Sequence, residues 1–193
     1  SVIKSDGNDQ FSSIYNSYKE YDDELYDQLI SLRDKISNRI DLETHSKEIE
    51  VVEKKFTLFN SRLINDIIKN IDDDIDLIGF HGQTVFHDPK IQISKQLGDG
   101  RLLSCLFKKI VINNFRQNDL NHGGQGAPLT PIFHTLVSKI IKKNFEVKLP
   151  VSIINIGGIT NITQIKEDSS NPIDFFAYDI GPGNCLIDDW VRN

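Results

Sequence analysis

Two glycine turns decide how this chain reads: Asn155-Ile156-Gly157-Gly158-Ile159-Thr160-Asn161, and Asp179-Ile180-Gly181-Pro182-Gly183-Asn184. Each follows an apolar run rich in β-branched and aromatic residues, 151–156 and 173–178, and such runs predict strands. A third run between them alternates Ile159, Asn161, Thr163 and Ile165, so the segment predicts a three-stranded meander with its turns offered to a ligand. Glycine has no Cβ to hold an anion away, and successive amides in such a turn form a concave nest for phosphate or carboxylate. Asp179 stands at the mouth of a strand beside this nest, where a carboxylate can accept a proton or orient a metal-bound water. The competing reading is a sharp turn with Asp179 as its cap. Two such turns in one short segment favour the ligand reading over chance.

Working upstream, residues 131–141 predict a helix whose N-terminus attracts anions, preceded by the loop Asn121-His122-Gly123-Gly124-Gln125-Gly126-Ala127-Pro128. A strand over 110–115 is expected to deliver Arg116 to its end, and a guanidinium is a fork of donors suited to carboxylate or phosphate. Asp119 follows in the same loop. A helix over 101–108 has Asp99 as its cap. Another strand, 75–80, ends at His81-Gly82-Gln83-Thr84, with His87 a little further on. Polar groups at the carboxyl ends of strands in an α/β chain occupy the usual ligand position. The alternative for His81 and Gln83 is local bonding to the loop backbone. The spacing from His81 to His87 is not that of a helical metal pair, so no zinc or other metal site of side chains is expected.

The first third is scaffold. Leu25, Leu29, Leu32 and Ile36 recur at helical spacing behind Asp22 and Asp23. Ile49, Val52, Phe56, Phe59, Leu63 and Ile67 make a second, longer stripe over 46–70, and its polar face with Glu48, Glu50, Glu53, Lys54 and Lys55 reads as solvated surface. Asp72-Asp73-Asp74 reads as a solvated loop.

Composition excludes several classes. The 193 residues carry 22 basic and 28 acidic side chains, a net charge of −6, and no basic patch of nucleic-acid type; Lys139, Lys142 and Lys143 fit the solvated face of a helix. No apolar run approaches the length of a membrane span. Two cysteines, Cys105 and Cys185, lie in apolar segments and read as buried thiols in a reducing cytoplasm. The chain has no methionine and opens Ser1-Val2-Ile3-Lys4-Ser5-Asp6-Gly7, which reads as a strand end with no earlier strand to pair with. Residues 185–191 begin a helix that is barely under way at the last residue. Both ends therefore suggest a piece of something longer.

These residues carry a resemblance. His81-Gly82-Gln83-Thr84, Asn114-Phe115-Arg116 with Asp119, Gly123-Gly124-Gln125-Gly126-Ala127-Pro128-Leu129 running to Pro131, Phe133 and His134, and the two glycine turns with Asp188 and Trp190 stand in this order. Over roughly residues 75–193 the chain resembles the anhydro-N-acetylmuramic acid kinases. The resemblance implies an α/β chain with the ribonuclease-H-like, two-lobed fold of the actin and hexokinase type, here truncated. Residues 1–125 would be lobe one without its first strand and phosphate loop, and 126–193 the opening helix and meander of lobe two. It implies magnesium-ATP and an anhydro amino sugar as partners, with Asp179 as catalytic base. His81, Gln83 and Arg116 would contact the sugar, and Gly157, Gly158, Gly181, Gly183 and Asn184 the nucleotide phosphates. A homodimer is implied for full-length relatives, and neither nucleic acid nor membrane is expected as a partner. Alone, the 193-residue stretch is expected to phosphorylate nothing. A non-catalytic amino-sugar-binding or regulatory module, or an actin-like interaction domain, are the alternatives from other classes.

Overall fold

The computed structural model describes residues 1–8, 10–166 and 175–192. It is a mixed α/β chain with small sheets, and it divides into two compact units: residues 13–127 with the first two residues, and residues 128–193 with residues 3–12.

At the start, β1 (Val2–Ser5) and β2 (Phe11–Tyr15) form a two-stranded sheet. The opening strand finds its partner in the residues that follow. The turn between them is drawn together by Asp6, whose Oδ1 accepts from the amides of Asn8 and Gln10, both at 3.0 Å.

In the first unit, α1 (Asp23–Lys35) begins where Asp22 Oδ1 accepts from Leu25 N at 2.9 Å. Acidic residues fill its first turn and basic ones its last, as the helix dipole favours. A short helix not anticipated from the sequence, α2 (Arg39–Thr44), is held by a capping box in which the Asn38 and Asp41 side chains each accept from the other's end of the turn. Then α3 (Ser46–Ile68) buries Ile49, Val52, Phe56, Phe59 and Ile67 of the expected stripe, with Leu63 half-buried.

The remaining elements of the unit are β3 (Leu77–Phe80), β4 (Gln83–Asp88), β5 (Ile93–Leu97), α4 (Gly100–Phe107), β6 (Ile110–Asn113) and α5 (Phe115–Asn121). Strands β3 and β6 pair in parallel and β4 and β5 antiparallel. Leu25, Leu29 and Leu32 of α1, Val52 and Phe56 of α3, Phe80 of β3, Leu97 of β5 and Leu103 of α4 share one core. Phe56 stacks on Phe80 with ring centres 5.9 Å apart. Asp99 caps α4 through bonds from Arg101 N and Leu102 N, both 2.9 Å.

Several expectations are corrected. The strand expected over 75–80 begins at Leu77. The one expected over 110–115 stops at Asn113, because Asn114 adopts a left-handed φ of 60° and turns the chain into α5. Asparagine tolerates that conformation better than other residues with a Cβ. Arg116 and Asp119 therefore lie on a helix, and Gln83 and Thr84 open a strand. Cys105 is exposed and Cys185 half-buried, both as free thiols, where both were expected to be buried; the buried residues of α4 are Gly100 and Leu103.

In the second unit, α6 (Pro131–Phe145) starts with proline at its first position and runs one turn beyond the expected end. Strands β7 (Val151–Ile156), β8 (Ile159–Ile165) and β9 (Phe175–Pro182) form an antiparallel sheet in chain order, followed by α7 (Cys185–Arg192). Of the strand expected over 173–178, Ile173 and Asp174 lie outside the described residues, and its far end continues to Pro182. His134 of α6 bonds through Nδ1 to Thr163 Oγ1 of β8 at 2.7 Å, and Phe133 packs edge-on against Phe11, ring centres 5.2 Å apart.

Candidate functional site

His81 directly follows the last residue of β3. Its Nδ1 donates to the Gly82 carbonyl at 2.8 Å, while its Nε2 accepts from Arg116 Nε at 3.1 Å. A guanidinium can only donate, so the ring carries its proton on Nδ1. Gly82 has a φ of 76° and lies so close to β5 that a Cβ would run into the carbonyl of Leu97, which is why glycine stands there.

Arg116, in the first turn of α5, also donates through Nη1 to the Gly126 carbonyl at 2.8 Å. One turn further along, Asp119 Oδ2 accepts from the Gly126 amide at 2.7 Å. The two side chains hold Gly126 by its N–H and its C=O, which fixes the glycine-rich loop onto the helix. Partial burial lowers the Arg116 pKa from its ordinary value. His87 of β4 bonds through Nδ1 to Ser94 Oγ at 3.0 Å, and burial first, then the Arg116 charge, lowers its pKa. The structure thus brings His81 and Arg116 into contact. Gln83 lies two residues on, exposed at the first position of β4.

Beside this pair lies a pocket of about 290 Å³ lined by residues of five elements or their ends: Glu53 on α3, Phe80 and His81 on β3 and its end, Lys95 and Gln96 on β5, Asn113 and Asn114 at the end of β6, and Gln117 on α5. Glu53 Oε1 accepts from Lys95 Nζ at 2.9 Å and from Gly98 N at 3.0 Å. One turn along α3, the buried Thr57 hydroxyl accepts from Asp99 N at 2.9 Å. Together these bonds tie α3 to the corner between β5 and α4. Glu53, read from sequence as solvated surface, is a pocket wall. Helical spacing placed it on the polar face, and only the long-range contact with β5 reveals its role. Gln96, Asn113 and Gln117 were missed as well; the visible signal was a pair of asparagines at the end of an apolar strand.

In the second unit the two glycine turns are joined. Gly183 N donates to Gly158 O and Asn184 N to Gly157 O, both at 2.8 Å. Gly183 sits so close to the first turn that a Cβ would meet the Gly157 carbonyl and Thr160 Oγ1. The amides of Gly183 and Asn184 are therefore engaged in this joint, whereas Gly157 and Gly158 enter it through their carbonyls alone. Asp179 is exposed on β9 opposite Asn161. The next pair in register is Thr160 with Gly181, which leaves Ile180 as a β-bulge. A bulge re-aims the side chains around it and is frequent beside functional sites. Among the described residues no three His, Cys, Asp or Glu side chains converge on a metal position. Magnesium does not require such a cluster, because it is commonly held by one or two carboxylates plus substrate phosphates. Exposed Asp179 beside the glycine joint fits that donor set. No helix among the described residues is long and apolar enough to cross a membrane.

A family model described as anhydro-N-acetylmuramic acid kinase matches residues 10–193. Proteins of that name from three bacteria are similar to the chain. That of Pelagibacter ubique (strain HTCC1062) is 50% identical over 192 residues, covering 100% of this chain and 50% of the relative. That of Methylobacterium nodulans is 40% identical over 179 residues, covering 92% and 45%. That of Paramagnetospirillum magneticum is 39% identical over 146 residues, covering 74% and 38%. The chain spans about half the length of the curated relatives it matches. With the family model covering nearly all of its residues, including His81, Arg116, Asp179 and both glycine turns, the chain belongs to the anhydro-N-acetylmuramic acid kinase family.

Proposed function

We propose that the chain is part of an ATP-dependent kinase that converts 1,6-anhydro-N-acetylmuramic acid to N-acetylmuramic acid 6-phosphate, opening the anhydro ring with water, in cytoplasmic recycling of cell-wall peptidoglycan. The observation that carries this reading is Asp179, exposed beside a bulge and four residues before a glycine that is locked against a second glycine turn. A carboxylate held there acts as general base. It takes a proton from a water whose oxygen bonds to the anomeric carbon; the bond from that carbon to the bridging 6-oxygen breaks, the 6-oxygen bonds to the terminal phosphorus of ATP, and the bond from that phosphorus to the β–γ bridging oxygen breaks to release ADP. Magnesium-ATP supplies the phosphoryl group, with its charge partly neutralised by the ion.

His81, Gln83 and Arg116 are assigned to the sugar. The Arg116 guanidinium has N–H groups beyond the two bonded to His81 and Gly126, and these suit the lactyl carboxylate. Gly157, Gly158, Gly181, Gly183 and Asn184 are assigned to the nucleotide phosphates, the first two through their amides and Asn184 through its side chain. Positioning and charge neutralisation account for most of the catalysis in phosphoryl transfer, so these donors matter as much as the base. The finer fold belongs to the same proposal: a ribonuclease-H-like lobe over residues 1–125, the beginning of a second over 126–193, and a homodimeric whole protein.

The test is turnover of the anhydro sugar by the whole protein with magnesium-ATP. Asp179→Asn is expected to lower kcat by about a hundredfold or more while sugar binding is retained. Unchanged turnover would remove Asp179 from the mechanism.

A further inference from the structure

Arg116 and Asp119 stand three residues apart on α5, a spacing that puts both side chains on one face of a helix, where opposite charges ordinarily pair. Here they do not. Arg116 donates from Nε to His81 and from Nη1 to the Gly126 carbonyl, and it forms no ion pair with any described carboxylate. Asp119 turns its Oδ2 to the Gly126 amide instead. The half-buried guanidinium is thus left without a compensating charge, and burial lowers its pKa. A partly desolvated cation is ordinarily paired, so this one is poised to receive an anion.

The loop keeps Asp119 where it is. Gly126 is buried, so its N–H needs an acceptor and its carbonyl a donor. Asp119 supplies the first and Arg116 the second. The chain before Gly126 folds back onto the same aspartate, with Gly124 N and His122 N donating to the Asp119 carbonyl at 2.9 and 3.1 Å. Gly124 then lies so near that a Cβ would run into the Asp119 carboxylate. Glycine at that position leaves the carboxylate room to stay on Gly126. With Gly126 pinned through its N–H, its carbonyl and the His81 ring fix the guanidinium at two nitrogens, and Nη2 has no partner among the described residues.

We propose that Asp119 is a positioning residue for the carboxylate of the ligand: by holding Gly126 it keeps Arg116 aimed and its charge uncancelled, so that the open guanidinium N–H groups read the lactyl carboxylate of the amino sugar. The assignment rests on the amino-sugar reading above. It makes the preference for that carboxylate over a neutral ester depend on a residue that does not touch the sugar.

The experiment measures, by calorimetry on the whole protein, the affinity for 1,6-anhydro-N-acetylmuramic acid and for its lactyl methyl ester. The unaltered protein is expected to favour the acid by about tenfold or more, and Asp119→Ala to narrow that preference to about threefold or less. Asp119→Asn, whose side-chain oxygen can still accept from Gly126 N, should keep the preference. Gly124→Ala leaves Asp119 in the chain, but its methyl pushes the carboxylate off Gly126 and frees it to swing toward Arg116, so the preference should narrow there too. Only the mobile end of a side chain has to move in that variant, so it decides the matter should Asp119→Ala not fold. Equal weakening of acid and ester in Asp119→Ala, a full preference in Gly124→Ala, or a loss in Asp119→Asn as complete as in Asp119→Ala overturns the positioning role. Equal affinity of the unaltered protein for acid and ester overturns it as well, and all four results leave the amino-sugar reading standing. Failure of the unaltered protein to bind either compound removes that reading and the proposal with it.

Discussion

Arg116 and His81 are joined by a bond in which the guanidinium Nε donates to the imidazole Nε2 at 3.1 Å. The arginine reaches the histidine from one end of its fork and the Gly126 carbonyl from the other. A lysine has a single point of charge and cannot span both. Arg116→Lys is expected to release Gly126, destabilise the first unit by about 1–2 kcal/mol and weaken sugar binding about tenfold or more. Denaturant unfolding and calorimetry read the two effects. Sugar affinity unchanged in a folded variant would remove Arg116 from the site.

Acidification is expected to loosen the first unit before its carboxylates titrate. Burial and the Arg116 charge hold the His87 pKa below its usual 6.5, so the unfolded chain takes up this proton first as pH falls. Unfolding is then favoured by proton uptake, and the contribution of neutral His87, complete above about 6.5, is lost as pH drops from there toward the folded value. The lysine-paired Glu24 and Glu48 lie below 4.5, outside this window. Hydrogen exchange of the β4 amides measured from pH 7 to 5 should show the loss, and His87→Gln should flatten it. An unchanged slope in that variant would assign the effect elsewhere.

Gly183→Ala tests the joint between the glycine turns. The added methyl would collide with the Gly157 carbonyl, which is backbone and cannot rotate away. The bonds from Gly183 N and Asn184 N should break, with destabilisation of about 1–3 kcal/mol and, in the whole protein, loss of phosphoryl transfer. Amide exchange confined to the β7–β8 turn and the end of β9 is the expected signature. Full protection there would mean that the turns do not depend on each other.

Glu53→Ala leaves the Lys95 ammonium and the Gly98 amide without their acceptor. A loss of about 1–3 kcal/mol is expected, more than an exposed ion pair would give, because both Glu53 and Lys95 side chains are at least two-thirds buried. Glu53→Gln should restore part of it through Gly98. Should the alanine variant match the unaltered protein in denaturant midpoint, Glu53 would be surface after all.

What the sequence made legible follows from the range of the forces involved. Leu25, Leu29 and Leu32 announce α1 because a helix repeats its buried face locally, and Asp99 announces the start of α4 because a cap acts on amides two and three residues on. The glycine turns were visible because few residues other than glycine permit such approach. By contrast, α5 was hidden behind one backbone angle at Asn114, which no periodicity records. The pairing of β4 with β5, from Asp88 with Ile93 to Gln83 with Leu97, left only a weak alternation in the sequence. Glu53 was illegible for a related reason. It meets partners about forty residues away.

The hold on Gly126 has a consequence for inhibitor design. Arg116 and Asp119 stand one helical turn apart and grip opposite ends of the same residue, so the loop and the guanidinium can only shift together. A compound that draws Arg116 toward itself must drag the loop along or leave a carbonyl stranded, and either adds a cost to its affinity. Compounds that accept from the guanidinium where it stands, leaving its grip on Gly126 intact, should bind faster and more tightly than those that compete for it.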